Sequence, residues 1–202
     1  MKTVFLFIHN RAYISDLLRG DYIKYLSSKY KVVIFLHDID DTHYQSDNII
    51  YVKFPIKMGK FWTLFEELLR KSLIRRFDNF VGVRTRHLRY KQNDWRKNFL
   101  KRIAKFLPRN FFGPDFFFLL EKIFVPHTKI FKQYIDKYNP SIILTTTPGL
   151  SFMEAWAIIC AKKFNIPSVA TYFSWDNLTI YARALRKTDY IICWNEIIKK
   201  EA

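Results

Sequence analysis

The chain has 202 residues, half of them apolar, and its 34 Lys and Arg against 18 Asp and Glu give a formal net charge of +16. Apolar content at this level supports a packed core and excludes a disordered chain, and the length suits one domain with room for an insertion. The positive charge favours an anionic partner such as a phosphorylated substrate, acidic lipid headgroups or nucleic acid. No apolar run approaches the ~20 residues of a membrane span, and the first run is too short for a secretory signal.

The first fifty-odd residues alternate between strand and helix patterns. Short β-rich apolar runs predict strands at 4–8, 31–36 and 48–54, and residues 13–28 carry the apolar spacing of a helix. The last third repeats the alternation with strands at 141–147, 167–173 and 189–196 and a helix over about 148–164. Val- and Ile-rich strands joined by helices predict an α/β, Rossmann-like parallel sheet with helices on both faces.

The middle of the chain has a different composition, which predicts a helical insertion at about 57–138 within a single domain spanning 1–202. Residues 57–109 contain sixteen Lys or Arg and four Asp or Glu, so +12 of the net charge lies there. Amphipathic helices are predicted at 61–77 and 95–107, and a Phe cluster around a turn at 111–120. The apolar face of the first helix is expected to hold Phe61, Leu64, Phe65, Leu68, Leu69 and Leu73.

Three interpretations of this basic insertion stay open. Its apolar face packs on the sheet while its basic face is solvated, or it docks on a membrane surface, or it binds nucleic acid. Basic amphipathic helices beside aromatic residues are typical of interfacial membrane segments, whereas no nucleic-acid-binding signature accompanies the charge. In the membrane interpretation, the residues that contact the anionic lipid surface are Arg70, Lys71, Arg75, Arg76, Arg96, Lys97, Lys101 and Arg102.

Polar residues follow four of the predicted strands. They are His9, Asn10 and Arg11; Thr145, Thr146 and Thr147; Ser174, Trp175, Asp176 and Asn177; and Asn195 and Glu196. The carboxyl ends of parallel strands meet at one edge of a sheet, where ligands bind in such folds, so these groups predict a site. No glycine-rich phosphate loop is present, which argues against a dinucleotide or P-loop site.

Each of these groups also has a purely structural interpretation. Thr147 is placed to cap a helix with Pro148 at its first position, and the free amides of that helix end would then suit an anion or a sugar hydroxyl. A histidine that follows a strand, such as His9, often has a structural role. Asp176 and Asn177 could cap a following helix, with the Trp175 side chain packed in the core. Cys160 and Cys193 lie in apolar runs away from other metal-binding residue types, which predicts buried, reduced thiols in a cytosolic chain without a metal site.

The stretch SWDNLT at 174–179, followed by DYIICWNEIIKKEA at 189–202, resembles the end of the first domain in bacterial surface-polysaccharide glycosyltransferases of the two-domain GT-B type. The start, FIHNRAYISDLLRGDYIKYL, is similar as well, and the resemblance covers residues 1–55 and 140–202. It implies that this domain receives a glycan or lipid-linked acceptor. The nucleotide-sugar donor is then expected mainly on a C-terminal domain that would follow residues 199–202, so this chain has no cofactor and should be inactive alone.

The resemblance also suggests roles for the polar residues. Asp176 is the first candidate for the general base that deprotonates the acceptor hydroxyl, and His9 is the second. Ser174 and Asn177 would orient acceptor hydroxyls, Trp175 would stack on a sugar, and Glu196 would seat the linker or the donor. Asn10, Arg11, Thr146 and Thr147 complete the expected acceptor cleft.

The expected setting is the cytoplasmic face of the inner membrane, with an anionic surface as partner and no nucleic acid. A glycerophosphotransferase of wall polymers is one alternative, although such enzymes usually carry a His-Gly pair where this chain has Asp176-Asn177. Nucleotide-sugar 2-epimerases share the fold but would not need a basic aromatic insertion. A non-catalytic basic membrane-binding module is the remaining alternative.

Overall fold

A computed structural model describes residues 1–9, 11–37, 44–56, 59–76, 114–125, 127–171, 186–193, 196 and 199. In this part of the chain, six parallel strands form one sheet in the order β3-β2-β1-β4-β5-β6. They are β1 (Thr3–Phe7), β2 (Lys31–Leu36), β3 (Ile49–Lys53), β4 (Pro140–Thr145), β5 (Ser168–Thr171) and β6 (Tyr190–Ile192). This order is typical of doubly wound Rossmann-like sheets, so the predicted α/β fold is confirmed.

The helices of the described residues are α1 (Arg11–Leu18), α2 (Asp21–Lys29), α3 (Lys60–Arg76), α4 (Pro114–Phe124), α5 (Thr128–Tyr138) and α6 (Phe152–Lys163). The single helix predicted over 13–28 is two helices, because Gly20 adopts an extended conformation at the N-cap of α2. The helix predicted from about 148 begins at Phe152 instead. Gly149 has a φ of 82°, which is incompatible with a helix start, and the Ser151 side chain caps α6.

Side chains of successive strand residues point to opposite faces of the sheet, and both faces are covered. On one face, Phe5, Phe7 and Phe35 pack with α5 and α6 through Phe131 and Trp156. On the other face, the strand residues pack with α1 and α2 through Leu17, Leu18 and Ile23. These strand residues are Leu6, Ile8, Val32, Ile34 and Leu36.

The chain forms two compact units, and the sheet belongs to the first, which comprises Met1–Ile56, Val125–Phe173 and Arg186–Glu196. Helix α5 was predicted to lie in the insertion, but it is part of this first unit. Its Phe131 is fully buried and its ring centroid lies 4.9 Å from that of Trp156 in α6.

The second unit contains α3 and α4, which pack on each other through Phe65 and Phe117. Trp62 stacks on Phe65 at 5.0 Å between ring centroids, and Trp62, Phe65 and Leu69 are buried. The predicted apolar face of α3 is therefore partly wrong, because Phe61 and Leu64 are exposed.

The Phe-rich stretch predicted as a turn is helical from Pro114, a residue well suited to the first position of a helix. The predicted helix at 95–107 lies outside the described residues. No helix in the described ranges combines the length and hydropathy that crossing a bilayer requires. Cys160 is buried as predicted, whereas Cys193 is only partly buried, and neither forms a disulfide.

Candidate functional site

The candidate site lies at the carboxyl ends of β1 and β4, the two neighbouring strands in the middle of the sheet. The strand order reverses between them, and this is where open α/β sheets bind ligands. His9 follows β1, and the β4–α6 loop (residues 146–151) follows β4. The Thr146 amide donates to the Phe7 carbonyl at 3.4 Å, which joins the two chain segments at this edge.

A fully buried carboxylate, that of Glu154 in the first turn of α6, is the centre of the site. Its Oε1 accepts hydrogen bonds from the Thr146 hydroxyl at 2.5 Å and from the Thr147 amide at 2.9 Å. Its Oε2 accepts from the Thr147 hydroxyl and, at 3.3 Å, from the Ser151 hydroxyl. The carboxylate is thus bonded to the loop that precedes its own helix.

His9 completes the set of groups around this carboxylate. Its Nδ1 lies 3.0 Å from Glu154 Oε2 and 3.4 Å from Thr146 Oγ1. The His9 ring also meets the edge of the Tyr13 ring of α1, with 5.5 Å between centroids. The imidazole therefore has a defined position while a fifth of its side chain surface, 19%, remains exposed.

The protonation pattern of the site follows from donor and acceptor chemistry. Three hydroxyls and one amide donate to Glu154, and an ionised carboxylate is a pure acceptor that satisfies all of them. Its position in the first turn of a helix also favours a negative charge. His9 then donates Nδ1–H to Oε2, and in the neutral form of the ring Nε2 is an acceptor.

The β4–α6 loop is held in place by a second residue, Arg186, which is also buried. Its amide donates to the Pro148 carbonyl at 3.1 Å, and its Nη1 donates to the Gly149 carbonyl at 3.1 Å. On the other side of the loop, the Thr145 hydroxyl donates to the Thr147 carbonyl at 2.8 Å. The loop backbone is therefore fixed from both ends.

The prediction that free amides near Thr147 bind an anion or a sugar hydroxyl is wrong for the Thr147 and Leu150 amides, and the Glu154 amide in the first turn of α6 is also bonded. The Thr147 amide donates to Glu154, the Leu150 amide to the Thr147 hydroxyl at 3.0 Å, and the Glu154 amide to the Ser151 hydroxyl at 3.3 Å. The carboxylate of Glu154 already supplies the negative charge that a helix N-terminus favours.

Of the residues predicted for the site, the structure brings His9, Thr146 and Thr147 together. The two threonine hydroxyls are buried against Glu154, so their present partner is this carboxylate. Glu196 is exposed, and Arg11 is the first residue of α1. The predictions for Asn10, Ser174, Trp175, Asp176, Asn177, Asn195, Arg96, Lys97, Lys101 and Arg102 lie outside the described residues.

Sequence reasoning missed Glu154 and Arg186. A signal for Glu154 was present, because Ser151 and Glu154 have the S-x-x-E spacing of a capping box before an apolar run. Ser151 does cap the helix, but Glu154 bonds to Thr146 and Thr147. No sequence signal marked Arg186, whose partners lie far away in the chain.

Among the described residues, no group of three or more His, Cys, Asp or Glu side chains is arranged to hold a metal ion. Among the described residues, His9 and Glu154 bring an imidazole against a carboxylate at this site. Scans against protein-family models, curated proteins and solved structures found no match for this chain.

Proposed function

We propose that this chain is the acceptor-side domain of a GT-B-type glycosyltransferase, and that it presents a glycan or lipid-linked hydroxyl to a nucleotide-sugar donor held elsewhere. The observation that carries the proposal is the 3.0 Å contact between His9 Nδ1 and Glu154 Oε2 at the point where the strand order reverses. A histidine oriented in this way is suited to act as a general base.

In the proposed reaction, His9 Nε2 removes the proton of the acceptor hydroxyl. The acceptor oxygen forms a bond to the anomeric carbon of the donor sugar, and the bond from that carbon to the nucleoside diphosphate breaks. Glu154 stabilises the imidazolium that results, as the buried carboxylate does in hydrolase triads. Asp176, the first candidate for the base from the sequence, lies outside the described residues, and the contact of His9 with Glu154 supports His9 in this role.

Two features favour an acceptor over a nucleotide diphosphate at this edge of the sheet. The turn after β1 has no glycine with which a backbone could approach a pyrophosphate. At the turn after β4, the ionised side chain of Glu154 lies at the helix N-terminus where a phosphate would otherwise bind. A neutral hydroxyl-rich ligand avoids the repulsion that a diphosphate would experience there.

Histidine-selective ¹⁵N NMR tests the proposal without knowledge of the natural sugar. The chain has five His residues, and the His9 signals are assigned with the His9→Gln variant. We expect neutral oligosaccharides, added at millimolar concentration, to shift the His9 signals, whereas UDP and GDP leave them unchanged. His37 and His127, which are both exposed, serve as internal controls.

The same spectra report the tautomer of His9. A neutral imidazole protonated at Nδ1 is expected in the wild-type chain, because Glu154 Oε2 accepts a hydrogen bond from Nδ1–H. An Nε2-protonated ring would leave no acceptor for the substrate proton and would contradict the role of base. Shifts with UDP or GDP but with no saccharide would instead place a donor nucleotide at this edge and overturn the acceptor assignment.

A further inference from the structure

Helix α3 of the second unit exposes large apolar side chains on the side that its packing leaves free. Phe61 is 67% exposed and Leu64 is 39% exposed, although Trp62 and Phe65 beside them are buried. The helix packs on α4 through Phe65 and Phe117. A helix that already has a packed apolar face does not need a second one for its own folding, so the second face indicates a partner.

Helical spacing extends this second face along α3. Residues three or four apart share one side of a helix, so the side that bears Phe61 and Leu64 continues through Leu68 and then reaches cationic residues. By this spacing, the positions on this side of α3 are Lys60, Phe61, Leu64, Leu68, Lys71 and Arg75, and we call them the outward stripe. Of these residues, Lys60, Phe61 and Leu64 are exposed. The same spacing places one acidic residue, Glu67, at its border.

The neighbouring helix, α4, also exposes apolar side chains. In α4, Leu119 and Ile123 lie four residues apart and are exposed, whereas Phe117 and Glu121 are buried. Both described helices of the second unit therefore have one packed side and one side with exposed apolar residues.

Charge indicates that the partner of this surface is anionic. By sequence position, the outward stripe of α3 contains three cations, and the segment 57–109, to which α3 belongs, carries sixteen Lys or Arg against four Asp or Glu. In this stripe the apolar residues lie between cations. Such a pattern suits a partner that is apolar beneath an anionic surface layer. A lipid bilayer with acidic headgroups has this structure.

We propose that the outward stripe of α3 docks the protein on an anionic lipid surface, with Phe61 and Leu64 entering the headgroup layer and Lys71 and Arg75 bound to acidic headgroups. The docking proposal deepens the proposed function. It rests on that function because only a lipid-linked acceptor favours a lipid surface over other anionic partners. It assigns the protein a position beside a lipid-linked acceptor. Docking needs neither His9 nor Glu154.

Vesicle flotation of the chain tests this proposal. The probes are vesicles of phosphatidylcholine alone and vesicles in which about a third of the lipid is phosphatidylglycerol. We expect binding to the mixed vesicles, at least tenfold weaker binding to the neutral ones, and a marked loss of binding as salt is raised, because salt screens exposed charges.

Matched variants locate the surface. Phe61→Ser with Leu64→Ser, and separately Lys71→Gln with Arg75→Gln, should each weaken binding to the mixed vesicles about tenfold or more. Control variants change the exposed aromatics and cations of α2 in the first unit, where Tyr22 is 39% and Tyr25 is 60% exposed. Tyr22→Ser with Tyr25→Ser, and Lys24→Gln with Lys29→Gln, should bind as the wild-type chain does.

Equal losses in the α2 and α3 variants would show that overall charge, and not this stripe, drives binding, and would overturn the proposal. Equally strong binding to neutral and mixed vesicles would exclude the contacts of Lys71 and Arg75 with acidic headgroups. Concentration-dependent dimers in light scattering, lost in the Phe61/Leu64 variant while vesicles fail to bind, would assign the stripe to a second copy of the chain. None of these outcomes depends on the sugar shifts of His9, so the docking surface and the acceptor site can fail separately.

Discussion

At the scale of single residues, the fully buried carboxylate of Glu154 depends on donors from three side chains of the β4–α6 loop. Thr146, Thr147 and Ser151 each direct a hydroxyl at it, and burial of a charge is strongly unfavourable without such bonds. The loop must therefore keep one backbone conformation if the site is to hold His9 in place.

Gly149 is the residue at which this loop conformation can be tested. Its φ of 82° lies in the left-handed region, and a Cβ there would stand 3.1 Å from Arg186 Cδ and 3.4 Å from Ala155 Cα. We expect Gly149→Ala to lower the free energy of unfolding by at least about 1–2 kcal/mol, the cost of a left-handed non-glycine residue. Urea unfolding followed by circular dichroism measures this change.

Gly59 provides the matched control, since a Cβ at this position would meet nothing within 4 Å. Gly59→Ala should cost only the weaker preference of alanine for the start of α3, a few tenths of a kcal/mol up to about 1. Similar losses in both variants would contradict the strained position assigned to Gly149.

At the scale of elements, the carboxylate of Asp189 adds side-chain hydrogen bonds to the backbone pairing of β6 with β5. Asp189, just before β6, accepts from the Ser168 hydroxyl at 2.7 Å and from the Ser168 amide at 2.8 Å through Oδ2. Its own amide donates back to the Ser168 carbonyl at 3.0 Å. Since all three residues of β6 are exposed, little apolar burial supports this strand, and these bonds to β5 matter more.

These bonds predict a pH-dependent stability. The hydrogen bond from the Ser168 side chain is the main reason why the pKa of Asp189 is lowered from its ordinary value of 3.8. The unfolded chain therefore binds a proton more readily than the folded one, so the stabilisation is present above the ordinary pKa and is lost as pH falls through the lowered pKa.

We expect Asp189→Asn to reduce the urea midpoint at neutral pH and the difference from wild type to shrink in acid, below the ordinary carboxyl range. Asp136→Asn is the control, because Asp136 forms an exposed ion pair with Lys132 at 2.9 Å, and such pairs contribute little to stability. A difference for Asp189→Asn that stays constant with pH would contradict the role of its charge.

At the scale of the whole molecule, the reactivity of the two cysteine thiols distinguishes the folded first unit from the unfolded one. Cys160 is buried in the core between the sheet and α6, and burial raises the pKa of its thiol, whereas Cys193 is partly exposed after β6. The thiolate is the reactive form, so Cys160 should resist alkylation until the first unit unfolds.

Iodoacetamide labelling followed by mass spectrometry measures both thiols in one sample. Under native conditions Cys193 should be labelled at least tenfold faster than Cys160, and Cys160 labelling should rise with urea in step with the loss of helical circular dichroism. Rapid native labelling of Cys160 would mean that this core opens locally. The Cys193→Ser variant provides the control in which only Cys160 can react.

How much of this molecule was predictable differs between its parts. The strands were found from apolar runs because burial on both faces of a parallel sheet demands such runs. The start of α6 was misplaced because Thr147-Pro148 matches a helix start, while the backbone of Gly149 and the cap at Ser151 postpone it. Helix α3 has apolar residues on two sides, so its sequence did not show which side is buried. The side that contains Trp62 and Phe65 is buried, and Phe65 packs against Phe117 of α4.

The amino-acid sequence by itself determined the fold class and the edge of the sheet at which polar residues collect, because both follow from local periodicity and from the parallel direction of the strands. Only the tertiary structure decided that Glu154 meets His9, Thr146 and Thr147. His9 and Glu154 are separated by most of the chain. Their contact depends on β1 and β4 being neighbours, and long-range strand pairing leaves no local pattern in a sequence.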